Sequence, residues 1–229
     1  MPRKPQSHGT CQYCGEQTAK SGMTKHLAKC VKRAQAIQSA DAGKQPEETI
    51  WHLRVQDAYA KEFWLDLEMS GSATLEKLDH YLRAIWLECC GHLSEFTIGG
   101  WGGSKIGKAR KADELFKPKL VLRHLYDFGT TSETDIFVVD SWQGKFATKH
   151  PIQLMARNIQ PEMLCNECNQ PASWLCMECL IEANEADTWF LCDEHIEDHP
   201  HQEYGEPIAL VNSPRLGMCG YTGPAEAPY

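Results

Sequence analysis

Apolar and polar residues alternate with a period of two in two stretches of this chain. Trp51, Leu53 and Val55 interleave with His52 and Arg54, and Phe63, Leu65, Leu67 and Met69 interleave with Trp64, Asp66 and Glu68. Successive side chains of a strand point to opposite faces, so each stretch predicts a strand. The period then lengthens: Leu75, Leu78, Leu82, Ile85, Trp86 and Cys89 fall on one face of a helix, with Ser72 or Thr74 to cap it and Gly91 to end it. Leu120–Tyr126 and Asp135–Val139 predict two more strands, joined around Asp127-Phe128-Gly129. This pattern is α+β, and about 110 residues of it can bury a core of their own.

The pattern fades at both ends. AIQSADAGKQPEE, from Ala36 to Glu48, is polar and punctuated by Gly43 and Pro46, as a linker is. A second break falls near Arg157–Glu162, before a sharp rise in cysteine density. The expected organisation is a small module over 1–35, a linker over 36–48, an α+β domain over 49–160, and a second small module with a tail over 161–229. Segments so short and polar cannot fold on apolar burial alone, so metal is their natural staple.

Composition sharpens this division. The 229 residues carry a net charge of -8, unevenly spread. Residues 1–45 hold eight Lys/Arg against two acids, whereas residues 160–229 hold one against 13. The basic head can be drawn to nucleic acid, and the acidic tail is repelled by it. No apolar run approaches the roughly 18–20 residues that span a bilayer. The opening MPRKPQSHGT lacks the apolar stretch of a secretory signal. The expectation is a soluble, cytoplasmic protein with no membrane association. In such a compartment 11 cysteines, an odd number set in CxxC pairs, point to metal rather than disulfides.

The first metal candidate is Cys11-x2-Cys14-x11-His26-x3-Cys30. Thiolates and imidazole suit tetrahedral zinc, and a CxxC knuckle delivers two sulfurs from one tight turn. A helix capped by Ser21 and running to about Arg33 sets His26 and Cys30 one turn apart, with Met23 and Leu27 covering the metal side. Lys25, Lys29, Lys32 and Arg33 form a basic ridge on that helix. It can contact phosphate, contact protein, or be a solvated face; one such finger reads only about three base pairs, so weak nucleic-acid contact is the expectation.

The second candidate region reads Cys165-x2-Cys168-x7-Cys176-x2-Cys179-x12-Cys192-x2-His195-x3-His199-x-His201. Eight ligands complete two tetrahedral sites, and closed sites are structural rather than catalytic. The spacing resembles the B-box class of cross-brace zinc modules, with a longer interval before Cys192. That resemblance implies one zinc on Cys165, Cys168, Cys192 and His195 and another on Cys176, Cys179, His199 and His201. A one-zinc arrangement using Cys165, Cys168 and two of the other ligands is the competing reading. Three zinc ions are expected in all. Cys89 and Cys90 read as core, and Cys219 as a buried thiol or substitute ligand. The acidic charge suits this module to a protein partner.

Two motifs fail on their neighbours. Gly102-x4-Gly107-Lys108 approaches a phosphate-binding loop, but Ala109 stands where a magnesium-binding hydroxyl is needed. Asp127-Phe128-Gly129 lacks the other parts of a kinase site. His92-x2-Glu95 reads as a structural pair, and no catalytic residue is assigned.

Several strings together, IWHLRV, HLSEFTIGG, LYDFGTT, PIQLMARN and NSPRLGMCGYTG, resemble the plasmid ORF-three-like family, named for a reading frame of a root-inducing plasmid. The likeness runs from Ile50 onward and leaves the N-terminal finger as an addition. His92, Glu95 and Phe96 fall on the family's His-Leu-x-Glu-Phe string and Tyr126–Gly129 on its YDFG string; Thr130, Thr131 and Ser132 stand where many members place an acid and a Trp. The resemblance implies an α+β core with a curved mixed or antiparallel sheet and a packed helix, from plasmid- and transposon-associated bacterial proteins, with no activity attached. The expected function is a non-enzymatic zinc accessory protein of a mobile element or phage. A hydrolase or nuclease working through His92, Glu95 and Asp127, and a pure interaction scaffold, are the alternatives.

Overall fold

The computed structural model describes residues 6–182, 189–200 and 206–229. The protein is α+β, built on one large antiparallel sheet with cysteine-rich clusters at its ends. Nine strands form that sheet: β1 (His8–Cys11), β2 (Gln17–Ala19), β3 (Glu47–Asp57), β4 (Trp64–Ser70), β5 (Ser94–Ile98), β6 (Ser104–Ile106), β7 (Val121–Tyr126), β8 (Ser132–Lys145) and β9 (Ile152–Asn158). Their order across the sheet is β2-β1-β9-β4-β3-β8-β7-β5-β6. The helices are α1 (Lys20–Lys29), α2 (Val31–Asp41), α3 (Leu75–Leu82), α4 (Ala112–Leu115), α5 (Met177–Glu182) and α6 (Asp193–Glu197). A second sheet of three short strands, β10 (Trp174–Leu175), β11 (Phe190–Leu191) and β12 (Ile208–Ala209), belongs to the C-terminal module.

The two alternating stretches become β3 and β4, paired so that Leu53 faces Leu67 and Val55 faces Leu65. Those residues, with Leu75, Leu78, Leu82, Ile85 and Trp86 of α3 and the turn after it, form the main core. Each large aliphatic side chain wholly removed from water contributes about 1.5–3 kcal/mol. β4 departs from a half-solvated strand, because all seven of its residues are buried. Its second face, carrying Trp64, Asp66 and Glu68, lies under the N-terminal module. Trp64 packs with Met23, Leu27, Met155 and Ala156.

Polar ties join the two layers. Arg54 grips Asp66 with two hydrogen bonds of 2.8 Å and also donates to Thr24 Oγ1 at 3.2 Å. Glu68 accepts from Arg33 at 2.9 Å and from Tyr13 at 3.2 Å. The N-terminal module enters the sheet itself, since β1 pairs with β9. Gly9 makes this possible: a Cβ there would lie 2.4 Å from the Trp64 ring.

Three element boundaries differ from the periodicity. The N-terminal helix begins at Lys20 without a Ser21 cap, and it breaks at Cys30, whose extended backbone (φ -66°, ψ 114°) separates α1 from α2. The polar stretch after Ala36 continues α2 as far as Asp41. Helix α3 passes into a π-helical turn over Arg83–Leu87 and stops at Glu88, which is extended, so Cys89 lies beyond the helix. Thr74 is its N-cap residue but gives no side-chain cap bond.

Candidate metal centres

Cys11 closes strand β1, and the turn that follows carries Cys14. Gly15 has φ 77° and donates its amide to Cys11 O at 2.9 Å, which folds the knuckle. α1 then brings His26, and its break brings Cys30, to the same point. Cys11 Sγ lies 4.0 Å from Cys30 Sγ, and Cys14 Sγ lies 3.4 Å from His26 Nε2. The far nitrogen of the His26 ring faces Glu16 at 3.4 Å, the carboxylate partner that commonly orients a ligating imidazole. Burial pushes the Cys11 thiol up to about 11. At Cys30 burial acts in the same sense, but the Arg33 amide and the neighbouring thiols outweigh it and hold that thiol below its ordinary value.

The same turn recurs in the C-terminal module. Asn169 follows Cys168 with φ 58°, and its amide donates to Cys165 O at 2.9 Å. Cys192, after β11, and His195, on α6, complete a group with Cys165 and Cys168. Cys168 and Cys192 sulfurs are 3.8 Å apart, and Cys192 Sγ is 3.1 Å from His195 Nδ1. Cys176, Cys179 on α5, and His199 form a separate group, with Cys179 Sγ 3.3 Å from His199 Nε2. His201 lies outside the described residues. The apolar contribution here is small: Leu191, Trp189 and Ile196 surround a cluster made mostly of the cysteines themselves.

A fourth group changes the expected count of three ions. Cys89, Cys90, His92 and Cys219 present ligand atoms that all lie within 4.8 Å of one another. The helix stops before Cys89 and Cys90: Cys89 is half-buried and packs against the edge of the main core, whereas the core placement fails for Cys90, which is exposed. Cys219 is exposed rather than buried. It sits 3.9 Å from Cys90 Sγ and 3.2 Å from His92 Nε2. Arg215, wholly buried, donates to Cys89 Sγ at 3.4 Å and to Asp127 Oδ2 at 2.7 Å. Burial raises the Cys89 thiol, but hydrogen bonds from Arg215 and Tyr126 prevail and hold it below its ordinary value. Arg215 carried no signal in the sequence beyond being the one base among residues 160–229.

These separations match one geometry. Two sulfurs about 2.3 Å from a tetrahedral zinc lie about 3.8 Å apart, and a sulfur and a nitrogen about 3.5 Å apart, whereas a disulfide holds its sulfurs at about 2.05 Å. All four groups can hold a metal ion, and their thiolate-rich donor sets favour soft or borderline cations.

The basic ridge divides. Lys25, Lys29 and Lys32 are exposed, and Lys29 and Lys32 border a hollow beside Cys14, His26 and Cys30. Arg33 is instead engaged by Glu68 and lies 4.6 Å over the Trp142 ring. Lys108 of the phosphate-loop look-alike bonds Asp79 at 2.9 Å and Ser94 at 2.6 Å, inside the domain. His92 and Glu95 do not pair: Glu95 meets Lys105 at 2.6 Å, while His92 lies 3.5 Å from Asp127. His92, Glu95 and Asp127 therefore do not converge on one pocket. Among the described residues no helix is long and apolar enough to cross a membrane.

No family model and no curated protein matches the chain. Among solved structures it is similar to a crystal structure of a protein of unknown function from Methanosarcina mazei, at 17% identity and a TM-score of 0.39. That alignment covers 45% of this chain and 66% of the other.

Proposed function

We propose that this is a zinc-stapled, non-enzymatic accessory protein of a bacterial mobile element or phage, of the plasmid ORF-three-like kind. It touches nucleic acid through Lys25, Lys29 and Lys32 and docks a protein partner through its acidic C-terminal module. Zinc is the ion of choice because cysteine thiolate with one or two imidazoles is the donor set of structural zinc sites. The observation that carries the polarity of the reading is the fate of the bases. Three lysines stand exposed around the first Cys/His group, while the one base of residues 160–229, Arg215, is wholly buried. An anionic polymer is thus attracted at one end and repelled at the other.

Fluorescence anisotropy with a labelled duplex, titrated at 50 and 200 mM salt, tests this. Three phosphate contacts predict an affinity loss of about forty-fold across that range, from a slope of about -0.9 per contact. The variant Lys25→Ala/Lys29→Ala/Lys32→Ala is expected to bind weakly with a nearly flat salt dependence. Binding that is indifferent to salt, or unchanged in the triple variant, refutes the assignment.

A further inference from the structure

We propose that Cys89, Cys90, His92 and Cys219 hold a fourth zinc ion, which clips the C-terminal segment onto the central sheet. The inference extends the zinc reading above to residues it does not use.

Cysteine bookkeeping is the first support. The four groups take three, three, two and three cysteines, and so absorb all 11 in the chain. Without the fourth group, three thiols would converge with an imidazole for no chemical purpose. The second support is construction. The turn after Cys90 shares one feature with those after Cys14 and Cys168: a positive-φ residue, here Gly91 at 72°, directly follows the cysteine. Glu88 Oε1 accepts the Gly91 amide at 2.6 Å, and Tyr126 Oη lies 3.4 Å from the amides of both Cys89 and His92. The facing turn is equally held. Ser213 donates to Trp86 O at 2.7 Å, and the Met218 amide donates to Arg215 O at 2.9 Å.

Cys219 itself adopts φ 50°, ψ 36°. A side chain other than glycine is strained in that region, and the conformation directs its sulfur to His92 and Cys90. The third support is charge. Three thiolates and a divalent ion carry one net negative charge, and the fully buried Arg215 donates to that group's Cys89. Arg215 also donates to Thr130 O at 2.9 Å and Ser132 Oγ at 2.8 Å, so it is fixed before any ion arrives.

The other groups draw their ligands from stretches close in sequence, whereas this one spans residues 89 to 219. An ion here therefore ties the end of the chain to the domain. Ser213, Asn212 and Ala225 O already lie along the same seam, with Asn212 and Ala225 O bound by Asn158 and Arg157.

Two measurements on the full-length protein decide the matter. Native mass spectrometry of zinc-loaded protein is expected to show four ions for wild type and three each for Cys219→Ser and His92→Ala. Trypsin reports the clip, because Arg215 is the only site in residues 160–229 and is buried. Release of the peptide Leu216–Tyr229 is expected to accelerate at least about tenfold in both variants. Cys14→Ser serves as control, losing one ion while Arg215 stays protected. Three ions in wild type and two in Cys14→Ser would overturn the fourth site and leave the other three standing. No bound zinc at all would overturn both readings. Equal ion counts in wild type and His92→Ala, a Cys90–Cys219 disulfide in the metal-loaded protein, or unchanged release of the peptide would each overturn the proposal. His92→Ala keeps the test decisive if Cys219→Ser fails to fold.

Discussion

The central sheet and the C-terminal module solve the same problem in opposite ways. In the sheet, strands β3 and β4 and helix α3 remove Leu53, Leu67, Leu78, Leu82 and Trp86 from water. Among the described residues of the module, the buried cluster is Leu191 and four cysteines, with Leu175 also buried. The sheet buries many large apolar side chains, whereas the described residues of the module bury few to set against the entropy of ordering their chain. The N-terminal finger is intermediate. It has Cys11, Cys14, His26 and Cys30, but it also borrows a face of the sheet through Trp64, Met155 and Ala156.

The contrast breaks most visibly on metal removal, since structural zinc contributes about 10–16 kcal/mol of apparent binding energy per site. Chelation is expected to abolish protection of the Cys165, Asn169, Cys176 and Leu180 amides while strands β3 and β8 keep theirs in hydrogen exchange. Equal retention in both regions would mean that the module has a core of its own.

Next in size is the buried polar cluster. Asp79, almost wholly buried, accepts from His124 at 2.7 Å, Ser94 at 2.6 Å and Lys108 at 2.9 Å. Burial works against its charge, but His124 and the other donors prevail and hold the carboxyl well below the usual carboxylate range. Its folded value is thus below the unfolded one, near 3.9. The contribution is full above that pH and is lost as the pH falls toward the folded value. Asp79→Asn is expected to cost about 3–5 kcal/mol in urea unfolding at neutral pH. The gap from wild type should begin to narrow below about pH 4 and shrink further as the pH falls toward the folded value.

Leu67→Ala, at a position with no exposure, is expected to lower stability by about 2–5 kcal/mol. The Cys165 and Cys176 groups form a cluster apart from that core, so the metal count of the folded variant should be unchanged. The smallest effect concerns the joint between the finger and the sheet. Arg33→Ala leaves the buried Glu68 with only Tyr13, and a loss of about 1.5–3 kcal/mol is expected from one charged hydrogen bond. It should leave the salt slope of duplex binding in place, which separates Arg33 from the three exposed lysines.

Local periodicity carried strands β3 and β4 and the start of α3, because each is a short-range pattern that the core then uses. It misplaced the end of the helix. A continued 3.6-residue period carries Cys89 onto the buried face, but the π-helical turn at Arg83–Leu87 ends the helix earlier and frees the cysteines. Alternation in β4 set Asp66 and Glu68 on the face opposite Leu65 and Leu67 without showing what covers that face. Both acids are buried because the finger covers them; Arg54 neutralises Asp66, Arg33 neutralises Glu68, and the His52 ring lies 2.8 Å from Asp66.

By itself the sequence determined the α+β character and the clustering of thiols and imidazoles at both ends, because ligand spacing within one turn is a local property. It also determined the polarity of charge along the chain. Only the tertiary structure decided which thiols meet across 129 residues, from Cys90 to Cys219. It alone buried Arg215 beside Cys89 and set the finger's strand β1 into the sheet beside β9. Those juxtapositions depend on where separate turns are carried by the packing of the sheet, and no pattern along the chain records that distance.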